Sequence, residues 1–132
     1  MVMPSTARRV ALVTGAARGQ GRAHAQLLAE RGYDVVLLGA RALAAEVDLR
    51  DGAAVRSAVD GAVERLGRLD VIVSNAGVSF FRPFLELTDD DWDAMIGNNL
   101  TTAQRVLSAA VPHVIKAGNG GSIVLTASVA GV

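Results

Sequence analysis

The sequence predicts an α/β fold with a parallel, doubly wound sheet. Short apolar runs rich in Val, Ile and Leu alternate with segments of helical periodicity along the 132 residues. Hydrophobic residues make up 51% of the chain, which is typical of strands covered on both faces. This length suits one domain, so residues 1–132 are interpreted as a single domain.

The first three elements form a strand, a helix and a second strand. Residues 10–14 (VALVT) are a short apolar run that a glycine ends, which indicates a buried strand. Residues 19–31 carry apolar positions on one helical face, and Gly32 is a predicted stop for that helix. Residues 35–38 (VVLL) are predicted to form the second buried strand.

The next three elements are predicted to be a strand, a helix and a further strand. The apolar pattern within residues 43–49 only weakly predicts a third strand. Asp51 is a predicted N-cap for a helix over residues 52–66, which has an apolar stripe and ends at Gly67. Residues 69–74 (LDVIVS) are then predicted to form the fourth strand.

The last elements are a long helix and a final strand. Thr88 is a predicted N-cap, and the aspartates after it suit the positive end of a helix dipole. The helix is predicted to continue to about residue 116, with Pro112 bending its last turns. Residues 118–121 are a predicted turn, and residues 122–126 a predicted fifth strand.

The connection between the second and third strands is too short for an ordinary parallel crossover. Such a crossover needs a dozen or more residues, whereas only GARAL (residues 39–43) follows Leu38 here. Either the third strand turns back as a hairpin, or the usual helix has been lost. Because a hairpin would place Asp48 at the wrong sheet edge for a ligand, we favour an internal deletion.

Composition excludes several classes of function. The formal net charge is +0 and the charges are spread along the chain, so neither nucleic acid nor an anionic membrane is an expected partner. The chain has no cysteine, which fits the cytoplasm, and no apolar run of membrane-spanning length. With two histidines and no cysteine, no metal site is expected.

Residues 14–21 (TGAARGQG) form a glycine-rich turn between the first strand and the first helix. In that context, glycines allow a tight turn and the close approach of backbone N–H groups to a pyrophosphate at the helix N-terminus. The alternative is a turn that only packs the helix on the strand. A P-loop is excluded because no Gly-Lys-Ser/Thr follows.

Four motifs in order resemble those of the short-chain dehydrogenase/reductase family. They are TGAARGQG, SNAG at residues 74–77, NNL at residues 98–100, and SIVLTAS at residues 122–128. The stretches GQGRAHA and AGNGGSIV further resemble its carveol-dehydrogenase-like, mycofactocin-coupled branch. The resemblance implies a Rossmann-type fold and hydride transfer between NAD(P) and an alcohol/carbonyl substrate.

The resemblance also implies cofactor-binding residues. Those expected to line the pyrophosphate and adenosine ribose are Gly15, Arg18, Gly19, Gln20 and Gly21. The pair expected at the adenine is Asp48 and Leu49, and the turn expected beside the cofactor is Asn75, Ala76 and Gly77.

The sequence leaves the choice between NAD and NADP open. An acidic residue at the end of the second strand would bind the ribose 2′-OH of NAD, but Gly39 stands there, and Asp34 lies at the opposite end of the strand. Arg41 and Arg18 favour the 2′-phosphate of NADP, although Arg41 could equally be a solvated loop charge. The resemblance to the carveol-dehydrogenase-like branch favours NAD.

Two residues match the family's catalytic positions. Asn99 lies on the apolar stripe of the long helix, where an amide needs hydrogen-bond partners. It is either a structural amide or, as the resemblance implies, part of a proton relay. Ser128 aligns with the serine that binds the substrate oxygen. Three phenylalanines within residues 80–84 are interpreted either as a substrate wall or as a packing patch.

The family's Tyr-x-x-x-Lys pair is missing from the chain. The single tyrosine is Tyr33 and the single lysine is Lys116, and no arrangement of these two gives a plausible pair. The chain is therefore predicted to be incomplete after its fifth strand and catalytically incompetent alone. The alternative function is a non-catalytic dinucleotide-binding or assembly fragment. An incompletely covered sheet also predicts a homo-oligomer.

Overall fold

The computed structural model describes residues 8–39 and 45–128. Within these residues the strands are β1 (Val10–Thr14), β2 (Asp34–Gly39), β3 (Ala45–Glu46), β4 (Val71–Ser74) and β5 (Ser122–Leu125). The helices are α1 (Gly19–Glu30), α2 (Gly52–Leu66), α3 (Asp89–Met95) and α4 (Thr102–Ala117), with a π-helical turn at Ile96–Thr101 and a 3-10 turn at Phe84–Glu86.

All neighbouring strands in the sheet run parallel, in the order β3-β2-β1-β4-β5. Successive side chains of a strand point to opposite faces. Leu12 and Leu38 accordingly belong to the main core under α2 and α4, whereas Val13 and Leu37 face α1. Helices therefore cover both faces, and the predicted doubly wound α/β fold is confirmed.

β3 pairs with β2 in parallel, so the hairpin alternative for this connection is wrong. Leu38 pairs with Ala45, and Gly39 pairs with Glu46. Only residues 40–44 lie between the two strands. So short a link suffices because β3 has two residues and pairs with the last two residues of β2. The chain therefore does not need to return along the whole length of β2.

The face of the sheet that α1 covers is incompletely filled. In β2, Val36 and Leu38 are 7% and 0% exposed, whereas Val35 and Leu37, which point to the α1 face, are only partly buried. Right-handed crossovers from β1 to β2 and from β2 to β3 would put both helices on this same face. The partial exposure therefore lies where a helix between β2 and β3 would pack.

Asp70, which directly precedes β4, joins the amino ends of β1 and β5 to that of β4. Its Oδ2 accepts the backbone N–H of Val10 at 2.9 Å, and its carbonyl accepts the N–H of Ser122 at 3.0 Å. The Arg68 guanidinium forms two hydrogen bonds to the same buried carboxylate. Burial opposes ionisation, but the bonds from Arg68 and Val10 outweigh it and keep the pKa of Asp70 below its usual value.

The long helix begins as predicted but is irregular at another place. Thr88 caps it in a capping box: its Oγ1 accepts the N–H of Asp91 at 3.1 Å, and Asp91 Oδ2 accepts the N–H of Thr88 at 3.0 Å. The irregular turn is Ile96–Thr101, whereas the turns around Pro112 remain α-helical to Ala117.

β5 is exposed along its whole length among the described residues. The side chains of Ile123, Val124 and Leu125 are 48%, 46% and 54% exposed, although they continue the apolar rows of β4. No helix of the described residues is long and apolar enough to cross a bilayer.

Candidate functional site

The carboxyl ends of the parallel strands meet at one edge of the sheet, and the predicted site residues collect there. The strand order reverses between β1 and β4, because β2 and β3 lie on one side of β1 whereas β5 lies beyond β4. Ligands of open α/β sheets bind at such a switch point. The turns that follow β1 and β4, residues 15–18 and 75–77, are therefore the centre of the candidate site.

The hydroxyl of Thr14 holds these two turns together. Thr14 is completely buried at the end of β1, and its Oγ1 accepts the backbone N–H groups of Asn75 and Ala76, each at 3.0 Å. A hydroxyl oxygen has two acceptor lone pairs, so both are used. Asn75 adds a long contact of 3.5 Å from its Nδ2 to the Thr14 carbonyl.

The three glycines of residues 15–21 have different roles. Gly15 and Gly19 have φ angles of +67° and +56°, which L side chains rarely adopt. Nothing in the chain lies within 4 Å of where a Cβ at Gly19 would be, so the space above it is open. A Cβ at Gly21 would instead overlap the Gly15 carbonyl and Asn75 Nδ2. The absence of a Cβ at Gly21 therefore lets α1 pack closely against the glycine turn and Asn75.

The N-terminus of α1 lacks the side-chain cap that α2 and α3 have. Arg18 occupies the N-cap position and makes no capping hydrogen bond, and the first turn contains no acidic residue. Asp51 and Thr88, by contrast, cap α2 and α3. The amides of the first turn of α1 therefore have no side-chain acceptor among the described residues, and they carry the positive end of the helix dipole. This geometry suits an anion such as a pyrophosphate.

Asn99 joins the π-helical turn to the segment after β4. Its Oδ1 accepts the N–H of Val78 at 3.0 Å, and its Nδ2 donates to the Met95 carbonyl at 2.9 Å. A Cβ at Gly77 would lie 2.7 Å from Asn99 Oδ1, so glycine permits this contact. Both the oxygen and the nitrogen of the Asn99 side-chain amide are thus hydrogen-bonded to backbone groups. The part of Asn99 in a proton relay stays a prediction.

The predicted adenine-contacting pair lies beside β3. Asp48 is exposed and forms hydrogen bonds with the side chain of Arg50 at 2.8–3.2 Å and with its backbone N–H at 2.9 Å. The Arg50 side chain, followed by its N–H, lowers the pKa of Asp48 to about 2. Leu49 is 8% exposed and packs in the main core. Any contact of Leu49 with a ligand would therefore involve its backbone.

Gly39 and Arg18, two of the residues considered for the choice between NAD and NADP, lie at the glycine-turn edge of the sheet. Gly39 ends β2 with a φ of +148°, and a Cβ there would lie 3.6 Å from the Gly15 nitrogen. The position therefore faces the glycine turn. Arg18 is exposed at the start of α1. Arg41 lies outside the described residues.

Ser128 follows β5 at the same edge of the sheet. The chain leaves β5 through Thr126, whose N–H donates to the Ser74 carbonyl at 3.0 Å and whose hydroxyl donates to Asn75 Oδ1 at 3.1 Å. Ser128 lies two residues further and is exposed. Thr14 and Thr126 were not among the predicted site residues. The signal that could have indicated Thr14 is a hydroxyl at the buried end of a strand, which requires a partner.

The segment between β4 and α3 presents aromatic side chains to solvent. Phe80, Phe81 and Phe84 are 39%, 102% and 84% exposed. The Arg82 guanidinium lies 6.0 Å from the centre of the Phe80 ring and 3.3 Å from Asp91. The exposure of Phe81 and Phe84 excludes the interpretation that these two pack against the long helix.

Other polar features lie away from this site. His113 Nε2 lies 2.6 Å from Asp60 Oδ1 and joins α4 to α2. An open cleft between Asp34 and Leu66 lies at the amino edge of the sheet and contains none of the predicted site residues. Within the described residues, no three His, Cys, Asp or Glu side chains lie together as a metal site requires.

Known proteins share both the sequence and the fold. The chain is 45% identical to an uncharacterized NAD-dependent oxidoreductase of Mycobacterium tuberculosis and 41% identical to the (−)-trans-carveol dehydrogenase of Rhodococcus erythropolis. Each alignment covers 94% of this chain and 56% of the relative. The chain thus spans little more than half the length of these curated relatives.

The alignment with the M. tuberculosis protein also contains positions that this chain lacks. The alignment with the M. tuberculosis protein extends over 154 positions, whereas 94% of the 132 residues is about 124 residues. About 30 positions of the relative therefore have no counterpart within the aligned part of this chain. That number is enough for a crossover helix and its loops, as an internal deletion requires.

A solved structure shares the architecture. The carveol dehydrogenase from Mycobacterium avium, crystallised in complex with NAD, matches with a TM-score of 0.87 at 42% identity, over 96% of this chain and 56% of that one. The family model described as short chain dehydrogenase matches residues 9–132. The resemblance drawn from the four motifs is confirmed, and the chain belongs to the short chain dehydrogenase family.

Proposed function

We propose that this protein is of the oxidoreductase type that transfers hydride between NAD and an alcohol or carbonyl substrate, and that the 132-residue chain by itself binds NAD without turning over. One observation carries the proposal: the uncapped first turn of α1 opens beside Asn75–Gly77 at the switch point of the sheet. The relatives' names support NAD, since one is called NAD-dependent and the M. avium enzyme was crystallised with NAD. The carveol dehydrogenases among them favour an alcohol substrate.

The chain's own residues supply the binding part of this function. The open space above Gly19 and the free amides of α1 would hold the pyrophosphate, with Arg18 at its side. Asn75, fixed by Thr14 and Thr126, would position the turn beside the cofactor. NAD, when bound, supplies the hydride acceptor. Ser128 would donate a hydrogen bond to the substrate oxygen, and Asn99 would support proton transfer.

The proposed catalytic incompetence of the 132-residue chain rests on where its tyrosine and lysine lie. Tyr33 directly precedes β2, and Lys116 lies in the last turn of α4, which precedes β5. Both therefore lie towards the amino edge of the sheet, opposite Ser128. Without a positioned acid or base, hydride transfer loses on the order of 10²–10⁴ in rate from proton transfer alone.

We also propose that this chain self-associates, because the exposed apolar strand β5 forms an edge of the sheet. Self-association is what the alternative function, a non-catalytic dinucleotide-binding or assembly fragment, would involve. It is compatible with cofactor binding. The absence of cysteine fits the reducing cytoplasm, where we propose that the protein acts.

Equilibrium dialysis with NAD, followed by an assay for NADH with carveol and other secondary alcohols, tests the proposal. We expect saturable NAD binding and no NADH above the rate without protein. Failure to bind NAD at millimolar concentration would contradict the binding function. NADH formation would contradict the proposed incompetence while supporting the oxidoreductase assignment.

A further inference from the structure

We infer that Glu46 selects NAD over NADP by placing its carboxylate where the adenosine ribose would lie. This inference rests on the proposed binding of NAD. Its starting point is the register of β2 and β3, which makes Glu46 the direct neighbour of Gly39, the residue at the end of β2. Adjacent strands are about 4.8 Å apart, so the two Cα atoms are close.

The backbone at Gly39 explains why this position does not carry the acid itself. An acidic side chain at the end of the second strand is the usual partner of the ribose 2′-OH. Gly39 has a φ of +148°, a conformation that L side chains rarely adopt. An aspartate or glutamate at this position would therefore be strained, although the space in front of it is free of close contacts.

The side chain of Glu46 lies on the same face of the sheet as that position. Paired residues of parallel strands point the same way, and Glu46 is exposed while the next residue, Val47, is buried in the main core. A Cβ at Gly39 would point towards the Gly15 nitrogen. Glu46 thus lies two strands from β1 and its glycine turn, with β2 between them, on the face that α1 covers.

The charge of Glu46 is available to a ligand. Its carboxylate makes no ion pair or side-chain hydrogen bond with the described residues, whereas the nearby Asp48 is already paired with Arg50. A free carboxylate accepts hydrogen bonds from ribose hydroxyls and repels a 2′-phosphate. Arg18, the exposed arginine at the start of α1, would instead favour a 2′-phosphate.

The test is the ratio of NAD to NADP dissociation constants for the full chain and the variants Glu46→Gln, Glu30→Gln and Arg41→Gln. Glu30 is an exposed glutamate at the far end of α1 and serves as the matched control. We expect the unmodified chain to prefer NAD. Glu46→Gln should reduce that preference by about tenfold or more, which is the size of effect of one hydrogen bond to a charged group. Glu30→Gln should leave it unchanged.

Three results would overturn the inference in distinguishable ways. If both cofactors bind and Glu46→Gln leaves the ratio unchanged, the specificity role fails while the proposed function stands. If the chain prefers NADP and Arg41→Gln removes that preference, Arg41 and not Glu46 selects the cofactor. If neither cofactor binds, the proposed function and this inference fail together. Circular dichroism of each variant shows that the fold is retained.

Discussion

The hydroxyl of Thr14 accepts the backbone N–H of Asn75 at 3.0 Å and so joins the end of β1 to the turn after β4. The same oxygen accepts the N–H of Ala76 at 3.0 Å. Two segments separated by about 60 residues in sequence are thereby fixed at the switch point. This contact determines the distance between the glycine turn and Asn75, on which the candidate site depends.

Thr14→Val should destabilise the chain. The substitution keeps the shape of the side chain but removes the acceptor of two N–H groups, which should lower the free energy of unfolding by about 1–3 kcal/mol. Urea unfolding followed by circular dichroism measures it. Thr101→Val, in the π-helical turn, is the control and should change stability by less than about 0.5 kcal/mol. Equal effects of the two variants would refute the role of Thr14.

Gly77→Ala should destabilise the chain through Asn99. The added Cβ would lie 2.7 Å from Asn99 Oδ1 and displace the amide that accepts the Val78 N–H. In the Asn99→Ala background that conflict is gone, so the two substitutions should be non-additive by at least about 0.5 kcal/mol. Gly61→Ala, where nothing lies within 4 Å, should instead stabilise α2 by about 0.5–1 kcal/mol. Additive effects of the pair would argue against the contact.

Asp70→Asn should lower stability at neutral pH by about 2–4 kcal/mol, because it breaks a buried, hydrogen-bonded ion pair with Arg68. The pKa of Asp70 in the folded chain is below its unfolded value, so the stability it contributes is present above that unfolded value and is lost as pH falls through the folded one. The difference between wild type and variant should therefore shrink below about pH 4.

Urea unfolding of both proteins between about pH 7 and about pH 3 checks this expectation. Asp93→Asn, on the exposed side of α3, is the matched control and should show a small difference at every pH. A stability difference for Asp70→Asn that does not change with pH would show that the ionised carboxylate is not what holds the strand ends.

The exposed edge strand should make the chain associate as its concentration rises. Leu125→Lys places a charge on β5, where the leucine is 54% exposed, and should weaken association in sedimentation equilibrium. Leu27→Lys replaces a leucine that is 50% exposed on α1, away from the sheet edge, and should have little effect. A monomer at all concentrations, or equal effects of both variants, would rule out association through β5.

Periodicity and turn residues predicted most of the fold. The strands at Val10–Thr14 and Asp34–Gly39 and the helix from Gly52 to Leu66 follow directly from apolar patterns and caps. Local sequence could not predict the π-helical turn at Ile96–Thr101. It arises where Asn98, Asn99 and Thr102 bond to backbone carbonyls of the same helix.

The sequence could not predict which residues that are distant along the chain lie next to each other across the sheet. The glycine turn identified the phosphate region, but the packing role of Gly21 depends on Asn75, which is distant along the chain. The importance of Glu46 depends on the register of a two-residue strand, and a weak apolar pattern cannot determine register.

The most direct test of the cofactor site is a calorimetric titration of NAD into Gly19→Ala and Gly32→Ala. Both glycines have positive φ angles, +56° and +84°, and nothing within 4 Å, so alanine imposes similar strain at each. Only Gly19 lies in the turn that would contact the pyrophosphate. We predict that Gly19→Ala weakens NAD binding by at least about tenfold, as loss of hydrogen bonds to a charged group would, and that Gly32→Ala binds as the unmodified chain does. Equal affinities of the two variants would contradict the assignment of the site.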